Sequence, residues 1–330
     1  MHILITGAAG MIGRKLTARL LAEGALHGRA IDKLTLHDVV PFPADALGGN
    51  PSMTIESAAS DLAAPGEAAR LIGKRPDTIF HLAGVVSGEA EVDFDKGYHV
   101  NLDGMQALLA AIRAAGEGYH PKLVFSSSIA VYGTPFPPAI PDEFHLTPLT
   151  SYGTQKAICE LLLADHHRRG FLDGVGIRLP TICVRPGKPN KAASGFFSGI
   201  IREPLAGQDA MLPVADTVRH THASSRAAVG FLIHAAGLTR EQLGPRINLA
   251  MPGVCCTVAE QIDALRRVAG DKVAARIRRA PDELIMRIVG GWAERIEARR
   301  ATALGFKAEG SFDEIVRAHI DDELGGKVAA

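Results

Sequence analysis

The sequence predicts an α/β fold in which a doubly wound parallel sheet is followed by a smaller mixed C-terminal portion. Short apolar segments alternate with helical patterns along the first half of the 330-residue chain, and this alternation is typical of βαβ crossovers. A glycine-rich turn links the first apolar segment to the first helical pattern. After about residue 185, proline and glycine interrupt the alternation, which indicates the change to the second portion.

The elements follow from these patterns in chain order. Strands are predicted where short apolar runs end in turn residues. The six strands of the sheet are predicted over 2–6, 34–40, 54–58, 78–83, 122–127 and 175–180. The helices between them are predicted over 11–23, through 69–72, over 101–115 and over 151–168. The C-terminal portion is predicted to contain helices near 194–206, 224–237, 257–269 and 281–300, and a strand over 247–250.

Composition indicates an ordinary globular protein, because 47% of residues are hydrophobic and 22% are charged. The formal net charge is zero, with 36 basic and 36 acidic residues, so no nucleic-acid or membrane-surface partner is expected. None of the four cysteines forms a C-x-x-C pair, which favours a reducing cytoplasm. No apolar run approaches the ~20 residues of a membrane span. The sequence predicts no metal site.

The first turn reads Gly7-Ala8-Ala9-Gly10-Met11-Ile12-Gly13 and lies between a predicted strand and a predicted helix. Glycines permit a tight turn and let backbone N–H groups approach a pyrophosphate, and the helix N-terminus favours negative charge. Gly7, Gly10, Met11, Ile12 and Gly13 are therefore predicted to bind a dinucleotide. A purely structural tight connection is the alternative.

Other cofactor candidates lie at the ends of later strands. Asp38 ends the second strand, where its carboxylate can accept bonds from ribose hydroxyls and would repel a 2′-phosphate, so NAD is favoured over NADP. Asp32 is a rival, and an ordinary strand-end aspartate is the alternative. Asp61-Leu62 could contact adenine or form a plain helix cap. Leu82-Ala83 would let the cofactor pass close to backbone, and Asn101, at a helix start, suits capping or bracing better than cofactor binding.

Tyr152 and Lys156 lie four residues apart in a predicted helix. This spacing places both side chains on one face, one turn apart. An ammonium beside a phenol stabilises the phenolate, and such a tyrosine can take a proton from an alcohol. The pair taken alone could equally be a surface pair.

Several motifs occur together in a fixed order. They are Thr6-Gly7-x-x-Gly10-x-x-Gly13, Asp61-Leu62, His81-Leu82-Ala83-Gly84, Phe125-Ser126-Ser127-Ser128, Val131-Tyr132-Gly133 and Tyr152-x-x-x-Lys156. In this series the chain resembles the extended short-chain dehydrogenase/reductase superfamily, the NAD-dependent epimerase/dehydratase family, over nearly its whole length. The resemblance implies a Rossmann-type NAD-binding domain over 1–180, which includes the catalytic residues. It implies a mainly substrate-binding portion over 181–330, with some segments that return to the first domain.

The resemblance also implies a catalytic trio of Ser128, Tyr152 and Lys156. Ser128 is predicted just past the fifth strand, where its hydroxyl would bond the reacting oxygen, and Ser126 and Ser127 are rivals, Ser127 the closer one. Tyr152, as phenolate, would take the hydroxyl proton while the carbinol carbon passes hydride to the nicotinamide. Lys156 would stabilise the phenolate and hold the nicotinamide ribose.

The substrate half departs from the nucleotide-sugar enzymes of this superfamily. Pro180-Thr181 stands where they typically have asparagine, and Pro180 is assigned to the cofactor site by the resemblance. The segment 218–224 lacks their acidic and aromatic residues. The stretch 178–207 instead resembles the D-erythronate dehydrogenase group. That resemblance implies oxidation of the C2 hydroxyl of a small sugar acid to give 2-oxo-tetronate.

A small acid requires a cation, and arginine suits a bidentate carboxylate contact. The substrate candidates are the cations Arg185, Arg219 and Lys188 and the hydroxyl-binding residues Thr181, Asn190 and Ser194. Each could equally be a surface charge or a loop polar group. A nucleotide-sugar epimerase or dehydratase and a non-catalytic NAD(H)-sensing protein are the alternative functions. The resemblance to the extended superfamily implies a homodimer through the helices predicted over 101–115 and 151–168, although their outward faces could cover the sheet instead.

Overall fold

The computed structural model describes residues 1–43, 53–187 and 193–329. Its strands are β1 (His2–Thr6), β2 (Ala25–Leu26), β3 (Arg29–Ala30), β4 (Lys33–Asp38), β5 (Thr54–Ala59), β6 (Thr78–His81), β7 (Lys122–Ser128), β8 (Asp173–Leu179), β9 (Thr181–Ile182), β10 (Ala210–Leu212), β11 (Arg219–Ala223), β12 (Asn248–Ala250), β13 (Val254–Thr257) and β14 (Ile277–Arg279). Its helices are α1 (Met11–Glu23), α2 (Glu67–Ile72), α3 (Ser87–Val92), α4 (Phe94–Gly97), α5 (Gly104–Ala114), α6 (Ser151–Arg168), α7 (Gly195–Leu205), α8 (Ser225–Gly237), α9 (Arg240–Leu243), α10 (Val258–Ala269), α11 (Asp271–Ala274), α12 (Glu283–Gly290), α13 (Arg299–Ala303) and α14 (Phe312–Leu324). A π-helical stretch covers Tyr98–Asp103, and a 3-10 turn covers Ile129–Val131.

A seven-stranded sheet in the order β12-β8-β7-β6-β1-β4-β5 is the centre of the fold. The pairs β1–β4, β1–β6, β4–β5 and β6–β7 are parallel. Thr6 at the end of β1 pairs with His37 on one side and with His81 on the other. The carboxyl ends of three strands therefore meet where the strand order reverses, which is the ligand-binding position of this class of sheet. The predicted doubly wound fold is confirmed.

The chain divides into two compact units. The first unit comprises Met1–Val131, Thr150–Arg178 and Val229–Leu249, and the second comprises Tyr132–Leu149, Leu179–Ala228 and Ala250–Ala330. The second unit contains a three-stranded sheet, β13-β11-β9, in which β11 runs antiparallel to β13 and parallel to β9. Helices α7, α10 and α14 cover a core that includes the fully buried Phe197, Ile201, Leu265 and Ile315. Within the described ranges, no helix has the length and apolar character to cross a membrane.

Two predicted helices differ from the observed ones. The helix predicted over 101–115 begins as a π-helical stretch and becomes α-helical only at Gly104. The helix predicted over 281–300 is wrong beyond Gly290, where α12 ends before Gly291. The following segment forms a bridge between Ile296 and Ile140 before α13 begins. A local apolar pattern could not indicate this long-range pairing.

Two histidines of β11 are fully buried in the second unit. Burial lowers the pKa of His220 to about 4 and that of His222 well below its usual value. His220 is satisfied as a neutral ring, because Nδ1 donates to Ala293 O at 3.1 Å and Nε2 accepts from Thr181 Oγ1 at 2.7 Å. For His222, Nε2 accepts from Gln261 Nε2 at 3.0 Å.

We expect these two buried histidines to make the folded protein less stable at acidic pH. Because the pKa is lower in the folded state, their stabilisation is complete above about pH 6.5, the unfolded pKa, and is lost as the pH falls below it. Between pH 7.5 and pH 5, we expect titration of His220 to lower the free energy of unfolding, measured by urea titration, by about 2 kcal/mol, and His222 to act in the same direction. His220→Asn should remove about that much of the fall. An unchanged fall in the His220 variant would contradict this assignment.

Candidate active site

The glycine turn has the shape of a dinucleotide cradle. Gly7 has φ +75°, and a Cβ placed there would lie 2.5 Å from Ala83 N. A Cβ at Gly13 would lie 2.2 Å from Gly7 O. A Cβ at Gly10 would meet only Gly7 O, at 3.2 Å. Gly7 and Gly13 are therefore required by the close packing of the turn, whereas Gly10 leaves open the surface that a pyrophosphate would approach.

The amide groups of this turn divide into two sets. Ala8 N donates to His37 O at 3.1 Å, and Ala9 N donates to an Asp38 oxygen at 2.9 Å. Gly10, the N-cap of α1, makes no side-chain capping bond. Met11 and Ile12 open the first turn of α1, where backbone N–H groups have no partner within the helix itself. With the helix dipole, they suit a phosphate, so the residues present fit the cofactor that the sequence indicated.

Asp38 lies at the end of β4, and backbone amides hold both of its carboxylate oxygens. One oxygen accepts from Ala9 N at 2.9 Å and the other from Val39 N at 2.7 Å. Asp38 therefore ties the glycine turn to the neighbouring strand, a role that the sequence did not reveal. Each oxygen has a second lone pair, so these bonds are compatible with the predicted contact to ribose hydroxyls. The rival Asp32 instead pairs with the N-terminal ammonium of Met1.

Asp61 and Leu62 follow β5. One Asp61 oxygen accepts from Ala63 N at 2.9 Å, and the other lies 2.7 Å from His99 Nε2. The hydrogen bond to His99 lowers the pKa of the Asp61 carboxyl, while Leu62 is buried. His99 was missed by sequence reasoning because only the tertiary fold brings it to Asp61.

Asn101 braces the loop after β6. Its Oδ1 accepts from Val85 N at 2.9 Å, and its Nδ2 donates to Gln155 Oε1 at 2.7 Å. A Cβ at Gly84 would lie 2.8 Å from Asn101 Oδ1. Asn101 thus connects the loop that begins with Leu82-Ala83 to helix α6. These contacts fit the bracing role that the sequence suggested for Asn101 as the alternative to cofactor binding.

The Tyr152–Lys156 pair lies at the start of α6, which Thr150 caps by accepting from Gly153 N at 3.1 Å. Lys156 is 4% exposed, and its Nζ donates to Ser126 O at 2.9 Å. The same Nζ lies 5.6 Å from the centroid of the Tyr152 ring. The expected one-face arrangement is present, and the ammonium is fixed beside the phenol by a backbone carbonyl.

The three serines at the end of β7 have different partners. Ser126 Oγ donates to His81 O at 3.2 Å, and Ser127 Oγ donates to Glu160 at 2.5 Å. Within the described part of the chain, the Ser128 hydroxyl is bonded only as an acceptor, from Ala130 N at 3.1 Å. Its hydrogen therefore remains available, which favours Ser128 over its rivals. Ser128 is the last residue of β7 rather than a residue past it, because the strand continues into the 3-10 turn.

The substrate candidates that the structure describes lie in the second unit with Pro180. Arg185 donates from Nε to Ile182 O at 3.2 Å and from Nη2 to Ser194 Oγ at 3.2 Å. Arg219 lies 3.5 Å from a Glu260 oxygen. Thr181 Oγ1 lies 2.7 Å from His220 Nε2. Lys188 and Asn190 lie outside the described residues.

A model of the NAD dependent epimerase/dehydratase family matches residues 3–227. The chain belongs to this family. The D-erythronate dehydrogenase of Cupriavidus necator is 48% identical over 98% of this chain and 98% of its own. The D-erythronate dehydrogenase of Haemophilus influenzae is 40% identical over 98% of this chain and 100% of its own.

A solved structure described as a nucleoside-diphosphate-sugar epimerase from Agrobacterium tumefaciens has a TM-score of 0.96 and 62% identity, and the match covers 100% of this chain and 96% of that one. The L-threonine dehydrogenase of Cupriavidus necator, at 22% identity and a TM-score of 0.82, supports the fold alone. The family model and the two D-erythronate dehydrogenase relatives together confirm the predicted class, an oxidoreductase that uses a nicotinamide cofactor.

Proposed function

We propose that this member of the family oxidises a small sugar acid at its C2 hydroxyl, converting D-erythronate to 2-oxo-tetronate. The similarity to two D-erythronate dehydrogenases over nearly the whole of each chain carries this proposal. The Tyr152–Lys156 pair and the Ser128 hydroxyl are consistent with such an oxidation, because alcohol oxidation needs a base beside a hydrogen-bond donor.

The proposed cofactor is NAD. The Asp38 carboxylate, held at the glycine turn by Ala9 N and Val39 N, supports this choice. A fixed negative charge there would repel the 2′-phosphate of NADP and accept bonds from the hydroxyls of NAD.

Asp38→Asn should therefore weaken cofactor discrimination. We expect the ratio of kcat/KM with NAD to that with NADP to fall by about tenfold or more, because like-charge repulsion at a binding site is worth several kcal/mol. Asp32→Asn is the matched control, since Asp32 precedes the same strand but pairs with the N-terminus. An equal change in both variants would exclude Asp38 as the discriminating residue.

In the proposed reaction, the glycine turn and Asp38 would hold NAD, which would supply the acceptor for the hydride that leaves C2. The Tyr152 phenolate takes the hydroxyl proton, so that the C2–O bond becomes a carbonyl as the C2–H bond breaks. Ser128 donates its free hydroxyl hydrogen to the reacting oxygen and orients it. Lys156 stabilises the phenolate, and its bond to Ser126 O holds the ammonium in place.

Arg185 is the proposed partner of the substrate carboxylate. Its side chain is oriented by bonds to Ile182 O and Ser194 Oγ, and arginine offers the planar fork that suits a carboxylate. Arg219 is less suited because Glu260 is 3.5 Å away. Thr181 and Ser194 remain the proposed contacts to substrate hydroxyls.

Arg185→Lys should raise KM for the sugar acid by about tenfold with a smaller change in kcat, because lysine cannot reproduce bidentate binding. The same exchange at Arg219 should change KM by less than about twofold. Initial-rate measurements on the two variants and the wild type decide the assignment. A larger rise in KM in the Arg219 variant than in the Arg185 variant would assign the substrate carboxylate to Arg219 instead.

The test of the function is NADH formation with a panel of four-carbon to six-carbon sugar acids. Turnover of D-erythronate above the other acids is expected. The second candidate function is epimerisation or dehydration of a nucleotide sugar. It is supported by the similarity to the solved structure described as a nucleoside-diphosphate-sugar epimerase. Turnover of a UDP-sugar with no turnover of any sugar acid would overturn the proposal. The homodimer stays a prediction, which sedimentation velocity can test.

A further inference from the structure

One face of α6 carries Tyr152, Lys156 and Glu160, which follow one another at intervals of four residues. Two of these side chains contact adjacent residues of β7. Lys156 Nζ donates to Ser126 O at 2.9 Å, and Glu160 Oε1 accepts from Ser127 Oγ at 2.5 Å. Successive turns of the helix are therefore bonded to successive residues at the end of the strand.

Glu160 is almost fully buried, with 1% of its surface exposed, and Arg178 at the end of β8 is 8% exposed. Arg178 Nε lies 3.0 Å and 3.1 Å from the two carboxylate oxygens, and Nη2 lies 2.7 Å from Oε2. The Glu160 backbone oxygen also accepts from Asn248 Nδ2 at 3.2 Å. Helix α6 is thus joined at Glu160 to β7, β8 and β12.

We propose that Glu160, with Ser127 and Arg178, is a positioning residue for the catalytic trio. This inference rests on the proposed function, in which Ser128 and Tyr152 contact the reacting oxygen. Consecutive strand residues point to opposite faces, so the bond from Ser127 to Glu160 fixes the face of β7 from which the Ser128 side chain projects. The same carboxylate lies one helical turn beyond Lys156. Its bond to Ser127 therefore also fixes the position of α6 along the direction of β7.

A purely stabilising role does not explain the arrangement well. A buried ion pair often adds little stability, and apolar residues of similar volume can replace it at little cost. What the ion pair adds is a fixed geometry, because the carboxylate must satisfy both Arg178 and Ser127 at once. The two elements that the network joins are the ones that carry Ser128 and Tyr152.

Ser127→Ala tests the proposal by removing one hydroxyl. We expect kcat with D-erythronate to fall by about tenfold or more, since small displacements of catalytic groups are costly. The Kd for NADH from fluorescence titration should change by less than about twofold, with one site per chain still titrating. Loss of folded protein would instead lower the number of binding sites and kcat in the same proportion.

The double variant Glu160→Leu with Arg178→Leu distinguishes a role in positioning the catalytic residues from a role in stabilising the fold. It should keep the wild-type Tm within a few degrees, because the ion pair is replaced as a whole, yet show the same fall in kcat per NADH-binding site. Tyr119→Phe is the control, because it removes a buried hydrogen bond to Pro76 O in which no residue of α6 takes part. It should leave kcat unchanged.

Full kcat per binding site in Ser127→Ala, or in a double variant that keeps its Tm, would overturn the positioning role. A double variant that has lost its fold while Ser127→Ala keeps full kcat would assign the network to stability alone, and that outcome also overturns the proposal. Failure of the proposed function is a separate result, because the wild type itself would then not oxidise any sugar acid.

Discussion

Tyr152→Phe is expected to lower kcat for D-erythronate oxidation by about 10³-fold, because a positioned general base contributes 10² to 10⁴-fold. Only the phenolic oxygen is removed, so the ring near Lys156 Nζ remains. The Kd for NADH should therefore stay within about twofold of the wild-type value. Stopped-flow single-turnover rates and fluorescence titration measure the two quantities separately.

The control is Tyr119→Phe, which makes the same chemical change at a buried tyrosine whose hydroxyl bonds Pro76 O. Its kcat should match the wild-type value, although its stability falls. Unchanged turnover in Tyr152→Phe would remove Tyr152 from the mechanism. Loss of NADH binding in that variant would instead show that Tyr152 supports the cofactor.

Gly7→Ala is expected to have the second large effect. The residue has φ +75°, and its new methyl group would lie 2.5 Å from Ala83 N and 2.6 Å from Leu82 C. Backbone cannot yield as a flexible side chain does, so the turn must move. We expect a loss of about 3 kcal/mol in the free energy of unfolding, from left-handed strain and overpacking together. The Kd for NAD should rise by about tenfold or more, because the amides of the first turn of α1 shift with it.

Gly116→Ala separates the two causes of that loss. Gly116 has φ +78°, but a Cβ there would meet nothing within 4 Å. The variant should therefore lose only the strain, about 1 kcal/mol, and should bind NAD normally. Equal losses in the two glycine variants would show that the contact with Ala83 is unimportant.

The central sheet was predictable because local and tertiary preferences agree along it. Helix α6 was predicted over 151–168 and is observed over Ser151–Arg168, since Thr150 is a favourable N-cap and polar residues end the helix. The second unit was less predictable. Strands β9, β11 and β13 are two to five residues long. The histidines of β11 look polar in the sequence, although both lie within a core, where His220 is bonded through both ring nitrogens and His222 through Nε2.

In the candidate site too, some features follow from the local sequence and others depend on tertiary contacts. Residue types and spacing were sufficient to predict the tight glycine turn and the one-face arrangement of Tyr152 and Lys156, whose roles stay predictions. The sequence could not choose among three consecutive serines, because the choice depends on their partners, His81 O, Glu160 and Ala130 N. Asp38 as an anchor of Ala9, and His99 beside Asp61, likewise depend on contacts between residues far apart in the chain.

The burial of Lys156 has a consequence for chemical labelling. Its amine is enclosed and bonded to Ser126 O, whereas Lys96 has half of its side chain exposed. Amine-directed reagents should acylate Lys96 before Lys156, even though the bond to Glu89 raises the pKa of Lys96. They should reach Lys156 only when α6 separates from β7. The rate at which mass spectrometry detects modified Lys156 would therefore measure how often this part of the protein opens.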